Sequence, residues 1–242
     1  MHKALKAFGI ENKPTVQAFD SGLINSTWKI VTNDKAYILQ RINDAVFKTP
    51  KDIAYNLRQI ADYLRQQSPD YLFVTPIAAQ HGKDLIHING EGYYRLLPFV
   101  NNSYTKTVVE TPEQAYEAAA QFGKFTRLLT GFNTMQLKIT IPDFHNLSLR
   151  YEQFLNAIEN ENKERVGQSQ PLITQLKNWN NIVSEYESIK NNPQFKLRVT
   201  HHDTKISNVL FDANDKGICV IDLDTVMPGY FISDVGDMML NL

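Results

Sequence analysis

The stretch Val199–Leu223, VTHHDTKISNVLFDANDKGICVIDL, sets a polar loop ahead of two short apolar runs. The runs are Val209–Phe211 and Ile218–Leu223, and turn-forming residues Ala213–Gly217 lie between them. This reads as a β-hairpin with a loop at one end. His201, Asp203, Lys205 and Asn208 crowd the loop, and the second run closes on Asp222, with Asp224 two residues further on. A carboxylate, an ammonium, an amide and two more carboxylates can therefore converge there. Strand alternation would put Asp222 and Asp224 on one face.

The rest of the chain is long enough to support that hairpin. Its 242 residues are 43% hydrophobic, enough for a substantial core in one or two domains. The net charge of −1 gives no basic surplus for nucleic acid or an anionic membrane surface. A lone cysteine, Cys219, excludes a disulfide within the chain and reads as a buried thiol. No apolar run approaches the roughly 20 residues needed to span a bilayer, and MHKALKAFGI is too short and interrupted for a secretory leader. The expected location is the cytoplasm.

Periodicity orders the remainder. Val16–Phe19, Trp28–Val31 and Ala36–Ile42 are β-prone, with turn chemistry at Asp20-Ser21-Gly22 and at Thr32–Lys35. Ile53, Leu57, Ile60 and Leu64 recur at helical spacing through Pro50–Gln67, with Pro50 suited to the first turn. Phe73–Ala78, Asp84–Ile88 and Tyr93–Val100 read as further strands. After Asn101-Asn102-Ser103 the pattern becomes helical: Pro112–Leu129 behind a Thr111 N-cap, then Leu149–Glu161 and Pro171–Ile189, joined by polar residues 162–170. The fold class is therefore α+β, with a strand-rich region of residues 1–101 and a mainly helical region of residues 102–242. A doubly wound fold would alternate strand and helix throughout, and this chain does not.

The spacing H-x-D-x-K-x-x-N, followed by a strand, a turn and a strand ending in Asp, suits phosphoryl transfer. That reaction needs a carboxylate to orient the attacking hydroxyl and oxygen ligands to hold Mg²⁺ on the nucleotide phosphates. Asp203 fits the first task, Asn208 and Asp222 fit the second, and Lys205 can neutralise charge on the moving group. Taken singly, each has a plainer reading: Asp beside Asn is ordinary turn chemistry, and His201 more simply packs under the loop. No Cys or H-x-x-x-H partner supports zinc at His201 or His202.

These residues resemble the catalytic loop and metal-binding Asp of the aminoglycoside phosphotransferase and choline kinase superfamily, relatives of the protein kinases that phosphorylate small molecules. Within it, RVTHHDTKISNVLFD, VIDLDTVMPG, DVGD, Leu23–Thr27, Tyr37–Gln40 and Phe144-His145 are similar to N-acetylhexosamine 1-kinases. The matching segments run from about residue 20 to 239. The resemblance implies a bilobal, protein-kinase-like fold that uses ATP and Mg²⁺, with residues 1–101 as the nucleotide-binding lobe. It implies Asp203 and Lys205 as catalytic residues and Asn208 and Asp222 as metal ligands. Asn25, Ser26 and Thr27 would contact phosphates, and Leu97, Phe99 and Val100 the adenine. His145, Arg150 and Asp224 are its candidates for contact with a sugar acceptor, and Asp234 would buttress the loop.

Two features depart from that pattern. Kinases place on the third strand a Lys paired with a helix Glu, to hold the α- and β-phosphates. Here the matching residue is Gln40, as in the hexosamine-kinase group, and Pro50–Gln67 contains no Glu. Neighbouring Arg41 points to the opposite face unless a bulge intervenes. In addition, family members generally continue with a further helical section, so residues 102–242 are expected to be an incomplete C-terminal lobe, and Leu240 stands where an Arg is expected. The leading expectation is a kinase acting on the anomeric hydroxyl of an N-acetylhexosamine. A kinase for an amino alcohol or aminoglycoside, and a non-catalytic nucleotide-binding protein, are the alternatives.

Overall fold

The computed structural model describes residues 1–11, 13–19 and 24–242. The expected Asp20-Ser21-Gly22 turn and Leu23 lie outside the described residues. After a short helix α1 (His2–Ala7), the strand-rich region forms an antiparallel sheet of five strands. These are β1 (Thr15–Phe19), β2 (Ser26–Val31), β3 (Ala36–Ile42), β4 (Ile86–Ile88) and β5 (Gly92–Pro98), in the order β1-β2-β3-β5-β4. Helix α2 (Pro50–Gln67) interrupts the strands with the bounds its apolar spacing predicts. Phe73–Ala78, expected as a strand, forms no strand, and within it Pro76 has no N–H to give to a ladder. Only Ile77 reaches the sheet, its N–H donating to the Leu96 carbonyl at 2.8 Å.

The sheet has two different faces because side chains alternate along each strand. Ile30, Leu39, Tyr94 and Leu96 point to one side and pack with Ala4, Leu5, Ala79 and Ile86. On the other side Ile42 joins the larger core, with Ile53, Leu57, Ile60 and Leu64 of α2. Helix α3 (Pro112–Leu128) adds Ala118, Phe122 and Phe125 to that core, and the Thr111 hydroxyl caps it, accepting from the Gln114 N–H at 3.4 Å.

The chain divides into two compact units, residues 1–141 with 197–242, and residues 142–196. The second unit carries α4 (Leu147–Asn160), α5 (Lys163–Gln168), α6 (Gln170–Asn178) and α7 (Asn181–Asn191). The stretch expected as one helix, Pro171–Ile189, breaks at Trp179-Asn180, and the polar connection 162–170 itself holds α5, capped by Asn162. Back in the first unit, β6 (Arg198–Thr200) pairs with β9 (Met227–Gly229), and β7 (Val209–Phe211) with β8 (Gly217–Val220), before α8 (Phe231–Asn241). Among the described residues no helix is long and apolar enough to cross a membrane.

Asn56 sits on the apolar stripe of α2 and is 1% exposed. Its amide donates to the carbonyls of Lys138 and Val226, at 2.8 and 3.0 Å, and accepts from the Lys138 N–H at 2.8 Å. One side chain thus joins α2 to two loops that carry no ladder partners of their own at these positions. Asn56→Ala leaves three backbone groups without their partner, the Val226 carbonyl among them buried, and a buried unpaired group costs about 1–3 kcal/mol. We expect a loss of roughly 3 kcal/mol in urea denaturation, with the m-value unchanged.

Candidate active site

Between β6 and β7 the polar loop is held from below by its own backbone. Asp234, on α8 and 1% exposed, accepts the N–H groups of His201 and His202, both at 2.8 Å. The Thr225 hydroxyl donates to the His201 carbonyl at 2.6 Å. The fully buried His201 ring lies edge-on to Phe122 and Phe125. Its Nδ1 accepts from the Asp203 N–H at 3.3 Å, so the ring proton is on Nε2, which donates to the Ile221 carbonyl at 2.9 Å. With both nitrogens engaged, His201 packs under the loop as its sequence context suggests. His202 takes a left-handed backbone, φ 67°, and its Nε2 lies 2.7 Å from the Thr200 hydroxyl.

The loop brings Asp203, Lys205 and Asn208 together. Lys205 Nζ lies 2.8 Å from Asp203 Oδ2, and Asn208 Nδ2 donates to the same oxygen at 2.9 Å and to the Asp203 carbonyl at 2.8 Å. Asp203 Oδ1 accepts from neither. Because both Asn208 contacts use its NH₂ group, the amide oxygen is turned away from Asp203 as a ligand. The Ile221 N–H donates to the Asn208 carbonyl at 2.8 Å, which sets Asp222 beside Asn208 across the hairpin. An amide oxygen and a carboxylate, with further positions left to water and phosphate, are a donor set that fits Mg²⁺.

Asp222 and Asp224 do not share a strand face. β8 ends at Val220, Asp222 adopts a left-handed backbone with φ 57° and ψ 59°, and Leu223–Thr225 form a 3₁₀ turn, so alternation ceases to apply. The Asp222 carboxylate reaches the surface, yet protein atoms crowd it. Its pKa is raised, first by that desolvation and then by Asp224, against the opposing charge of Arg95. Asp224 turns inward instead and is 2% exposed. Its Oδ1 pairs with Arg95 Nη1 at 2.5 Å and its Oδ2 accepts from Asn25 Nδ2 at 2.7 Å.

Asn25 and Gln40 belong to this buried network. The Asn25 amide oxygen accepts from the Asn43 N–H at 3.0 Å, so both ends of its side chain are occupied. Gln40 Oε1 accepts from Arg95 Nε and Nη2 at 2.9 and 2.7 Å, and Gln40 Nε2 donates to the Thr27 hydroxyl at 3.2 Å. Arg41 faces the opposite side, and the β2-β3-β5 ladders run through it without a bulge. Asn25, Ser26 and Thr27 line a surface hollow of about 280 Å³ with Phe19, Ile24 and Trp28. Further along the same sheet face, Lys29 Nζ lies 3.8 Å over the Phe99 ring, and the Val100 carbonyl accepts from the Ser103 hydroxyl at 2.7 Å. His145 and Arg150 are exposed in the unit of residues 142–196, where Arg150 donates to Gln153 at 2.9 Å. Sequence reasoning missed Arg95 altogether. The available signal was a lone charge in the apolar run Tyr93–Val100.

An antiparallel sheet, a helical region and a loop of this composition ahead of a β-hairpin define a kinase-like phosphotransferase. The sequence model of the phosphotransferase enzyme family, APH, matches residues 15–242, and the chain belongs to that family. Among solved structures it is similar to spectinomycin phosphotransferase APH(9)-Ia in complex with ADP and spectinomycin, with a TM-score of 0.64 and 19% identity, over 97% of this chain and 70% of that one. An aminoglycoside phosphotransferase from Alicyclobacillus acidocaldarius has a TM-score of 0.65 at 12% identity, over 99% and 70% of the two chains. The microcompartment-associated aminopropanol kinase gives 0.61 at 15%, over 98% and 72%. At these identities the likeness establishes the fold.

Asp234 supplies two charge-assisted hydrogen bonds to the loop backbone, each worth about 1.5–3 kcal/mol. We expect Asp234→Ala to lower stability by roughly 3 kcal/mol or more, and Asp234→Asn by less because one acceptor remains. Urea denaturation of the two variants checks the order.

Proposed function

We propose that the protein transfers the γ-phosphoryl group of ATP to a sugar hydroxyl, the anomeric hydroxyl of an N-acetylhexosamine, giving a sugar 1-phosphate. The observation that carries this reading is the division of labour on Asp203. Lys205 and Asn208 both engage Oδ2, which fixes the carboxylate and leaves Oδ1 to accept the proton of an incoming hydroxyl. Lys205, at the same carboxylate, is positioned to offset charge on the transferring group. Asn208 and Asp222 are the residues that would hold Mg²⁺, which when bound neutralises nucleotide phosphate charge.

In this reading residues 1–101 form the nucleotide-binding lobe and residues 102–242 the catalytic and acceptor lobe. Ser26, at the start of β2, and Thr27, on the same sheet face as Gln40 and Arg95, are the phosphate contacts, and Leu97, Phe99 and Val100 flank the adenine. Asn25 and Gln40, whose polar atoms are engaged within the protein, brace that surface from behind. The resemblance of Phe144-His145 and Arg150 to the hexosamine-kinase group supports a sugar acceptor. Charge supports it as well. A cationic acceptor, as an aminopropanol kinase would take, calls for uncommitted carboxylates. Both oxygens of Asp224 and of Asp234 are engaged internally, and Asp237 accepts from Thr204 and Asn241.

Transfer of label from γ-labelled ATP to a panel of N-acetylhexosamines, other sugars, amino alcohols and aminoglycosides tests the reading. Label is expected in an N-acetylhexosamine 1-phosphate. Label in an amino alcohol or aminoglycoside would replace the sugar assignment, and label in none, with Mg-ATP bound, would favour a non-catalytic nucleotide-binding protein. Asp203→Asn is expected to lower kcat by about 10²–10⁴-fold, the usual range for a positioned base, while Mg-ATP affinity is retained.

A further inference from the structure

A triphosphate clamp needs a cation, and the face of β3 that carries Gln40 offers none, since Gln40 is neutral, Arg41 points to the other face and α2 contains no Glu to pair with a cation. The cation lies one strand away. Thr27, Gln40 and Arg95 are direct cross-strand partners on β2, β3 and β5, so their side chains leave the sheet in one row on one face. Arg95 is 4% exposed, an unusual place for a guanidinium, and its position is specified by two hydrogen bonds and an ion pair. Nε and Nη2 donate to Gln40 Oε1, and Nη1 forms an ion pair with Asp224 Oδ1 at 2.5 Å.

We propose that Arg95 is the phosphate-clamp cation of this phosphotransferase, supplying from β5 the charge that a third-strand lysine supplies in other kinases, with Asp224 in place of the helix glutamate and Gln40 as its rigid support. The inference rests on the phosphotransferase reading above. A kinase clamp is a cation pinned by a carboxylate with donors to spare. Arg95 meets that description. A guanidinium carries five N–H groups in a fixed plane; two donate to Gln40 while Nη1 faces Asp224 as an ion pair, so N–H groups on Nη1 and Nη2 remain.

The pairing also places the charge correctly. Asp224 follows Asp222 by two residues in a tight 3₁₀ turn, so a guanidinium fixed to Asp224 stands next to the proposed metal position. Gln40 reaches from Arg95 to Thr27 on β2, one of the proposed phosphate contacts. A purely structural ion pair would need only Asp224. The second partner, a neutral amide in register on β3, orients the guanidinium plane.

The test compares binding of Mg-ADP and of adenosine to the wild type, R95Q, R95K and the double variant Q40K/R95Q, with a thermal melt to establish folding. R95Q keeps hydrogen-bonding capacity but removes the charge. It is expected to weaken Mg-ADP at least tenfold and leave adenosine within twofold. R95K, which retains the charge, should keep most of the Mg-ADP affinity, and Q40K/R95Q, which returns an ammonium to the same row, should regain most of what R95Q loses. Wild-type Mg-ADP affinity in folded R95Q would overturn the assignment, as would equal losses for adenosine and Mg-ADP, which would mark a structural role. Should R95Q not fold, R95K and Q40K/R95Q decide. Mg-ADP within tenfold of wild type in both supports the proposal, and adenosine binding without Mg-ADP binding in either overturns it. No Mg-ADP binding by the wild type would instead remove the phosphotransferase reading and this inference with it.

Discussion

A guanidinium and a carboxylate, both withdrawn from solvent, meet where the sheet of the first unit faces the loop after β8. The Arg95–Asp224 pair fixes the position of the segment that carries Asp222 against three strands at once, because Arg95 is tied to Gln40 and Gln40 to Thr27. Removing either partner of a buried pair leaves an uncompensated charge, at a cost of about 3–5 kcal/mol. Asn25 completes the arrangement, bonding Asp224 with one end of its amide and the Asn43 backbone with the other. The sheet and the candidate metal segment are thereby held in one geometry.

A second constraint acts from the opposite side. Backbone groups in a tight, partly left-handed loop cannot be satisfied by a ladder, and here they are satisfied by Asp234, Thr225 and the His201 ring. The loop therefore presents Asp203, Lys205 and Asn208 from a rigid base. Rigidity matters for phosphoryl transfer, in which most of the catalytic effect comes from positioning and electrostatics rather than covalent participation by the protein.

Much of this was legible in the sequence, for identifiable reasons. The bounds of α2, the three N-terminal strands and the β7–β8 hairpin follow from periodicity and turn residues, which are local signals. The clustering of Asp203, Lys205 and Asn208 follows from their spacing within a single loop. Non-local pairing left no such mark. Alternation misplaced Asp224, because Asp222 enters a left-handed conformation and ends the strand pattern. The helix spacing in α2 showed its apolar stripe but not that Asn56 within the stripe serves three distant backbone groups. Arg95 was invisible as a partner of Gln40 because their sequence separation of 55 residues is closed only by the β3–β5 register.

Phosphoryl transfer here requires a divalent cation held with nucleotide, and Asn208 and Asp222 are its proposed ligands. Manganese in place of magnesium makes that measurable through the relaxation of water protons. Titrating Mn²⁺ in the presence of ATP should give a strong enhancement with the wild type and with Ser207→Ala. The enhancement should be weakened at least tenfold in apparent affinity in Asn208→Ala and in Asp222→Ala, both verified as folded. An unchanged titration in Asp222→Ala would contradict the account.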